Sequence, residues 1–253
     1  MPRSRHGGRH ELGQNFLHHA PTLRRIGELV DDTVGPILEI GSGDGAVTRV
    51  LVGRGRDVTA VELDEHRARR LRRDLPTARV EHADALRRPF DLPVVVGNVP
   101  FHLTTPILRR LLREQTWQHA LLLVQWEVAR KRAGVGGGTM MTAQAAPWFV
   151  FGLAGRVPAH GFAPQPSVDG GLLRIDRRAE PLVAHGERTA YDAFVHAVFT
   201  GRGGGLDRVL QGATRADGRS VRRAMARAEV DRRSLPRHLG PPQWAHLWHE
   251  LGR

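Results

Sequence analysis

Apolar positions along this chain follow two alternating rhythms. Leu23, Ile26, Leu29 and Val30 recur at helical spacing within Ala20 to Val30, and the compact apolar run Pro36 to Ile40 reads as a buried strand. The turn Gly41-Ser42-Gly43-Asp44-Gly45 leads into a helix over Ala46 to Gly53, with Val47, Val50 and Leu51 on one face. Asp57 to Val61 predicts a second strand that stops at Glu62, and Asp64 to Leu75 an arginine-rich helix. Arg79 to Glu81 and Val94 to Val96 predict the third and fourth strands. Helical spacing at Pro106 to Leu112 and Glu127 to Ala133 flanks an apolar strand at Ala120 to Val124, and Trp148 to Val157 with Gly171 to Ile175 is expected to close the sheet edge as a hairpin. Such alternation builds an α/β fold around a doubly wound, mostly parallel sheet.

Strand signals cease after Arg177-Arg178. Tyr191 to Phe199, Leu206 to Leu210, Ser220 to Ala228 and Gln243 to Leu251 are helical in pattern, with Pro241-Pro242 where a helix would start. Trp244 and Trp248, four apart, form a core stripe of the last helix. The expected organisation is a basic arm over 1–19, where the cofactor motif begins, an α/β domain over 20–178 and a small helical domain over 179–253.

Charge narrows the partners. The 253 residues carry a formal net charge of +12, which attracts polyanions, so RNA, DNA and anionic membrane surfaces all qualify. Nearly every basic residue is arginine, Lys131 being the only lysine. The absence of cysteine excludes disulfides, thiolate metal sites and thiol nucleophiles. The fourteen histidines show no metal-ligand spacing, so no metal is expected. The basic start runs into polar residues without an apolar signal core, and no apolar run is long enough to span a bilayer; a soluble, cytoplasmic protein without membrane attachment is expected.

A strand, a glycine-rich turn and an acidic residue ending the next strand form a nucleotide-binding arrangement. Gly41 and Glu62 are twenty-one positions apart, near the ~20 of that pattern. Gly41-x-Gly43-x-x-Ala46 also fits a dinucleotide fingerprint, so NAD competes with S-adenosylmethionine at this level. Glu39 before the turn, Asp44 within it and Asp84 after the third strand favour the methyl donor, since an acidic loop suits a cationic sulfonium better than a pyrophosphate.

Asn98-Val99-Pro100-Phe101, directly after Val94-Val95-Val96-Gly97, offers an amide oxygen, a backbone carbonyl and an aromatic face at the end of a buried strand. A flat base with an exocyclic amine needs those parts. The lone pair of adenine N6 is delocalised into the ring until acceptors bind its hydrogens and bend it towards tetrahedral geometry; Asn98 Oδ1 and the Val99 carbonyl would be those acceptors. Pro100 biases Val99 towards an extended conformation and Phe101 would stack on the base. The competing reading is an ordinary strand-to-loop turn.

In order, Gly13-Gln14-Asn15-Phe16-Leu17, Glu39-Ile40-Gly41-Ser42-Gly43-Asp44-Gly45, Glu62-Leu63-Asp64, Asp84-Ala85-Leu86 and Asn98-Val99-Pro100-Phe101 resemble the rRNA adenine N6-methyltransferases. Gln125-Trp126-Glu127-Val128-Ala129 and Phe162-Ala163-Pro164-Gln165-Pro166-Ser167-Val168-Asp169 extend the resemblance over most of residues 13–175. Val99, Phe101 and His102-Leu103-Thr104-Thr105-Pro106 place it nearer the erythromycin-resistance methylases (Erm) than the KsgA-type small-subunit dimethyltransferases of the same superfamily.

The resemblance implies a Rossmann-like class I S-adenosylmethionine-dependent methyltransferase domain over 20–178 with a small C-terminal helical, RNA-binding domain over 179–253. It implies that Asn15 and Leu17, with Gln14 beside them, close over the methionine end of the cofactor, that Gly41 and Gly43 line it, and that Glu62 takes the ribose hydroxyls. Leu63 would pack on the adenine ring, Asp84 with Ala85 would meet its amine, and Asn98 and Phe101 would hold the target adenine. The implied substrate is an adenine of 23S rRNA near the peptidyl-transferase centre, before full ribosome assembly. Its mono- or dimethylation blocks macrolide, lincosamide and streptogramin B binding. The base would be extruded for reaction, by a protein expected to be a monomer.

Among the arginine clusters, Arg109, Arg110 and Arg113 beside the expected pocket, with Arg3 and Arg5 of the arm, are the RNA-contact candidates. Arg67 to Arg73 reads equally well as a solvated helix face. Three alternatives stand: 16S rRNA dimethylation in ribosome maturation, a nucleic-acid-binding relative without catalysis, and a dinucleotide oxidoreductase.

Overall fold

The computed structural model describes residues 14–252. The chain begins with strand β1 (Phe16–Leu17), helix α1 (Ala20–Asp31), β2 (Ile37–Ile40), α2 (Ala46–Gly53), β3 (Val58–Glu62), α3 (Glu65–Asp74) and β4 (Arg79–His82). It continues through β5 (Val94–Asn98), α4 (Thr104–Leu111), β6 (His119–Gln125), α5 (Trp126–Arg132), α6 (Met140–Ala145), β7 (Phe149–Val157), β8 (Phe162–Ala163) and β9 (Gly170–Arg177). Helices α7 (Arg188–Thr200), α8 (Leu206–Thr214), α9 (Gly218–Arg227) and α10 (Pro241–Leu251) complete it.

Seven strands form one sheet in the order β4-β3-β2-β5-β6-β9-β7. The pairs from β4 to β6 are parallel, and β9 joins β6 antiparallel, from His119 opposite Asp176 to Gln125 opposite Gly170. The two strands expected to close the sheet stand at that edge. Every residue of β2 and β3 is buried, which explains why strands covered on both faces read as apolar runs rather than alternations. Ile26, Leu29 and Val30 of α1 and Val47 and Leu51 of α2 pack with Ile37, Val58, Val94 and Leu121 of the sheet. From β2 the chain moves outward through β3 and β4, then returns to β5 on the other side of β2. In open α/β sheets, that reversal opens a crevice beyond the strand ends.

Local chemistry sets the helix starts. Asp64 caps α3 by accepting from the Arg67 N–H, and Asp217 caps α9 through the N–H groups of Arg219 and Ser220. Proline occupies the first turn of α10, as its sequence predicts. Helix α8 runs on to Thr214, beyond the expected end at Leu210.

Two compact units result: residues 14–129 with 153–176 of the described chain, and residues 130–152 with 177–252. The second unit differs from the expected continuous tail because it includes α6. Tyr191 of α7 donates its hydroxyl to the Ala143 carbonyl at 3.0 Å, and Gln144 reaches the Asp192 carbonyl at 3.0 Å. The core of this unit is aromatic: Trp248 lies edge-on to Tyr191 at 5.8 Å and Trp244 stacks on Phe199 at 5.7 Å, with both tryptophans at most 3% exposed. Among the described residues no helix is long and apolar enough to cross a membrane, and no group of three or more acidic or histidine side chains is placed to hold a metal.

Glycine is required where β5 meets β2. A Cβ on Gly97 would run into Ile40 Cγ1 and come within 2.9 Å of the Ile40 carbonyl oxygen. Gly97→Ala is therefore expected to destabilise the fold by roughly 1–3 kcal/mol, the usual cost of overpacking, measured as a lower urea midpoint with an unchanged m-value.

Candidate functional site

The crevice at the β2–β5 junction holds a cavity, at the place where open α/β sheets bind ligands. Its walls are the C-terminal ends of parallel strands and the turns after them. Gly41 to Asp44 follow β2, Glu62 ends β3, Ala83 to Leu86 follow β4, and Asn98 to Leu103 follow β5. Gln14 to Leu17 close the remaining side. These residues are placed by β1, whose Phe16 and Leu17 pair with Ala163 and Phe162 of β8. A two-residue strand leaves no periodic signal, so this element was invisible in the sequence.

All ten residues expected to hold the cofactor, Gln14, Asn15, Leu17, Gly41, Gly43, Glu62, Leu63, Asp84, Ala85 and Asn98, line this one cavity, as does Phe101. Gly43 has a φ of +55°, and a Cβ there would sit 3.0 Å from the Phe16 ring, so the turn and the β1 closure fit each other only with glycine. Phe16 is a lining residue to which the motif reading assigned no role. Its other partner is Arg67, whose guanidinium lies 4.2 Å from the ring centroid and whose Nη1 is 3.9 Å from Asp44 Oδ1. The arginine face of α3 is thus not purely solvated: Arg67 and Arg70, the latter 3.6 Å from Asp44, flank the turn. No local motif marks such a contact between residues about fifty positions apart.

Four carboxyl groups, Glu39, Asp44, Glu62 and Asp84, line the cavity, and among the described residues no lysine or arginine does. Their environments separate them. Glu62 Oε2 accepts from the Gly43 N–H at 2.7 Å and Oε1 from the Asp64 N–H at 2.9 Å. These two bonds fix the glycine turn against the end of β3. Glu39 is 2% exposed and its Oε2 has no partner. Burial pushes its carboxyl up to about 8, against the pull of Thr48 and with a contribution from the Glu62 charge. Asp84 Oδ1 accepts from the Leu86 N–H at 2.8 Å.

Asn98 is held by its amide nitrogen, which donates to the Asn15 carbonyl at 2.8 Å. This bond turns Oδ1 into the end of the amide that can receive an amine. Val99 is 2% exposed and its N–H bonds the Leu123 carbonyl at 3.1 Å, while Phe101 opens a short 3-10 turn and is only half-buried.

The expected RNA contacts are not part of this cavity. Arg110 donates to the Ala85 carbonyl at 2.9 Å, pairs with Glu114 at 2.9 Å and lies 4.7 Å from the centroid of the Phe90 ring. It is tied into the wall behind Ala85. Arg109 and Arg113 are exposed on the α4 side of the unit. Arg3 and Arg5 lie outside the described residues.

Residues 5–238 match the family described as ribosomal RNA adenine dimethylase. The mycinamicin-resistance protein MyrB of Micromonospora griseorubida is 51% identical over 247 residues, covering 96% of this chain and 78% of that protein. An rRNA adenine N-6-methyltransferase of Corynebacterium diphtheriae is 51% identical, covering 81% of this chain and 82% of its own. Among solved structures, the 23S rRNA methyltransferase ErmE superimposes with a TM-score of 0.84 at 33% identity, covering 94% of this chain and all of that one.

The Glu39 environment predicts a pH effect. Its folded-state value lies above the free value of 4.5, so the native state keeps a proton that the unfolded chain releases between 4.5 and about 8. The stability contributed by this group is complete below that window and is lost as pH rises through it. Glu39→Gln should therefore gain on the wild type with rising pH, by at most ~1.4 kcal/mol per unit, in urea unfolding at a series of pH values. Parallel profiles would show that Glu39 is ionised in the folded protein.

Proposed function

The chain belongs to the ribosomal RNA adenine dimethylase family, and from that membership we propose that it methylates N6 of one adenine in 23S rRNA, with S-adenosylmethionine as methyl donor, and thereby confers macrolide, lincosamide and streptogramin B resistance. The observation that carries this reading is the cavity lining, with four carboxyl groups and, among the described residues, no lysine or arginine beside Asn98 and Phe101. A cationic sulfonium and ammonium suit that lining, whereas the pyrophosphate of a dinucleotide would face carboxylates where it needs donors. The orphaned Oε2 of Glu39 at the cavity wall fits a cationic ligand as well.

Glu62 and Asp84 are the acceptors for ribose hydroxyls and the adenine amine of the donor, and Gly41 and Gly43 let the backbone approach it. Gln14, Asn15 and Leu17 cover its methionine end, with Leu63, 44% exposed, and Ala85 against its ring. The donor supplies an activated methyl group on sulfur. Phe101 stacks on the extruded target base, and Asn98 Oδ1 with the Val99 carbonyl accepts from the N6 hydrogens. Those two acceptors would localise the nitrogen lone pair and aim it at the donor's methyl carbon, the new carbon–nitrogen bond forming as the carbon–sulfur bond breaks and the sulfur leaves as a neutral thioether. The surplus N6 proton passes to water, and no side chain needs to abstract it. The hydrogen bond from Asn98 to the Asn15 carbonyl couples target positioning to the segment that covers the donor. The enzyme works as a cytoplasmic monomer, without a metal, on 23S rRNA ahead of full ribosome assembly.

The large-subunit assignment is supported by the 51% identity with a mycinamicin-resistance protein and by the likeness to ErmE. Labelled methyl transfer to protein-free 23S rRNA, with 16S rRNA and small subunits in parallel, tests it. A single large-subunit adenine is the expected product, and label on small-subunit adenines would move the chain to ribosome maturation. Asn98→Ala should cut kcat by about 10²–10³, the usual cost of removing one positioned polar group, while calorimetry finds donor affinity within a few-fold of wild type. Phe101→Tyr keeps the stacking face and should retain most activity, whereas Phe101→Ala should lose it mainly through a higher KM for RNA.

A further inference from the structure

A second cavity lies wholly within the unit formed by residues 130–152 and 177–252. Its electrostatic character is the reverse of the first. Arg132, Arg178, Arg237 and His238 line it, and among the described residues no aspartate or glutamate does. Phe149 and Trp244, each 1% exposed, provide an apolar floor, and Phe151, half-buried, supplies an aromatic wall.

The rim is built by specific contacts. Gly134, Gly136 and Gly137 have φ values of +77°, +84° and +112°, so the loop after α5 follows a path that side chains resist. A Cβ on Gly137 would approach the Arg237 carbonyl oxygen to 3.3 Å, and the Gly138 N–H donates to that oxygen at 2.7 Å. The glycine loop is thereby seated on the Pro236–His238 turn. Across the cavity Arg178 is anchored through its backbone N–H to the Trp148 carbonyl at 2.9 Å and through Nε to the Ala146 carbonyl at 3.0 Å. Among the described residues no carboxylate pairs with Arg178 or Arg237. Guanidinium forks beside a flat aromatic wall suit a phosphate joined to a planar base, and they disfavour cations and neutral apolar ligands.

We infer that this cavity is a second RNA site, which takes a nucleotide from an unpaired stretch of the substrate, its phosphate on Arg178 and Arg237 and its base against Phe151. The inference rests on RNA being the substrate and adds to that reading a docking point separate from the methyl-transfer cavity. Single-stranded bases stack on aromatic faces, whereas paired bases are inaccessible, so the site favours unpaired over duplex RNA.

Fluorescence anisotropy of the whole protein with a 5′-fluorescein single-stranded RNA oligonucleotide, across a salt series, tests it. Arg178→Gln with Arg237→Gln should weaken binding on the order of tenfold and reduce the slope of log K against log salt by about 0.7 for each phosphate that is no longer neutralised. Arg237 is exposed and its side chain reaches only His238, at 3.4 Å, so Arg237→Gln alone should keep the fold and show part of both effects. Phe151→Ala should weaken single-stranded binding and spare duplex binding. Unchanged affinity and slope in the arginine variants would overturn the proposal. So would an equal weakening on an RNA duplex, which would mark a non-specific polyanion face. Methyl transfer by the wild type is read separately. Its failure on both rRNAs, with the arginine variants still weakened in binding, would sink the catalytic assignment alone, and normal transfer with unaltered binding would sink the second site alone.

Discussion

The parallel contact between β2 and β5 at Ile40 and Gly97 is the constraint on which the rest of the site depends. The absence of a side chain at Gly97 lets the strands finish side by side, and both then release their chains into turns over the same space. One turn brings Gly41 to Asp44, the other Asn98 to Phe101. Gly41 lies so close to the second turn that a Cβ would meet the Asn98 carbonyl oxygen at 3.5 Å. The two turns therefore share a wall of one cavity, which suits the proposed reaction between two ligands held side by side.

Charge within the cavity is graded rather than uniform. Glu62 is satisfied by two backbone amides, while Glu39 is buried with one oxygen unpartnered. Two carboxylates ionised so near each other would repel strongly in a space with little water. Burial holds the Glu39 carboxyl up at about 8, which lowers that cost. Asp44 belongs to the same set but faces the other way electrically, sharing the field of Arg67 and Arg70.

Among the described residues, the strongly basic character of the chain is absent from the cavity proposed for the methyl donor. Arginines near that cavity are engaged in packing, as Arg67 is on Phe16 and Arg110 is on Phe90. The arginine-lined, carboxylate-free pocket occurs in the other unit. A cationic cofactor and a polyanionic substrate make opposite demands, and the two cavities have opposite linings that would suit them. The net charge of +12 predicts a polyanion partner yet says nothing about this partition.

The alternation of strands and helices, the glycine turn after β2, the acidic end of β3 and the Asn98-Val99-Pro100-Phe101 turn were all legible, because each is a local pattern in backbone preference or side-chain chemistry. So was the aromatic stripe of α10. Less legible were β1 and β8, which are two residues long and exist only as each other's partners. The place of α6 beside α7 was equally hidden, since contacts between Ala143 and Tyr191 span 48 positions. Arg110 shows the limit most clearly: as sequence it is one more basic residue beside a pocket, and in the fold its donors are taken by Ala85 and Glu114. The amino-acid sequence by itself determined the fold class, the family and the residues that line the cofactor cavity, because local periodicity and motif chemistry encode them. Only the tertiary structure decided which carboxyl group stays neutral, which arginines are committed and where a second basic pocket forms, because burial and partnership arise only when distant segments meet.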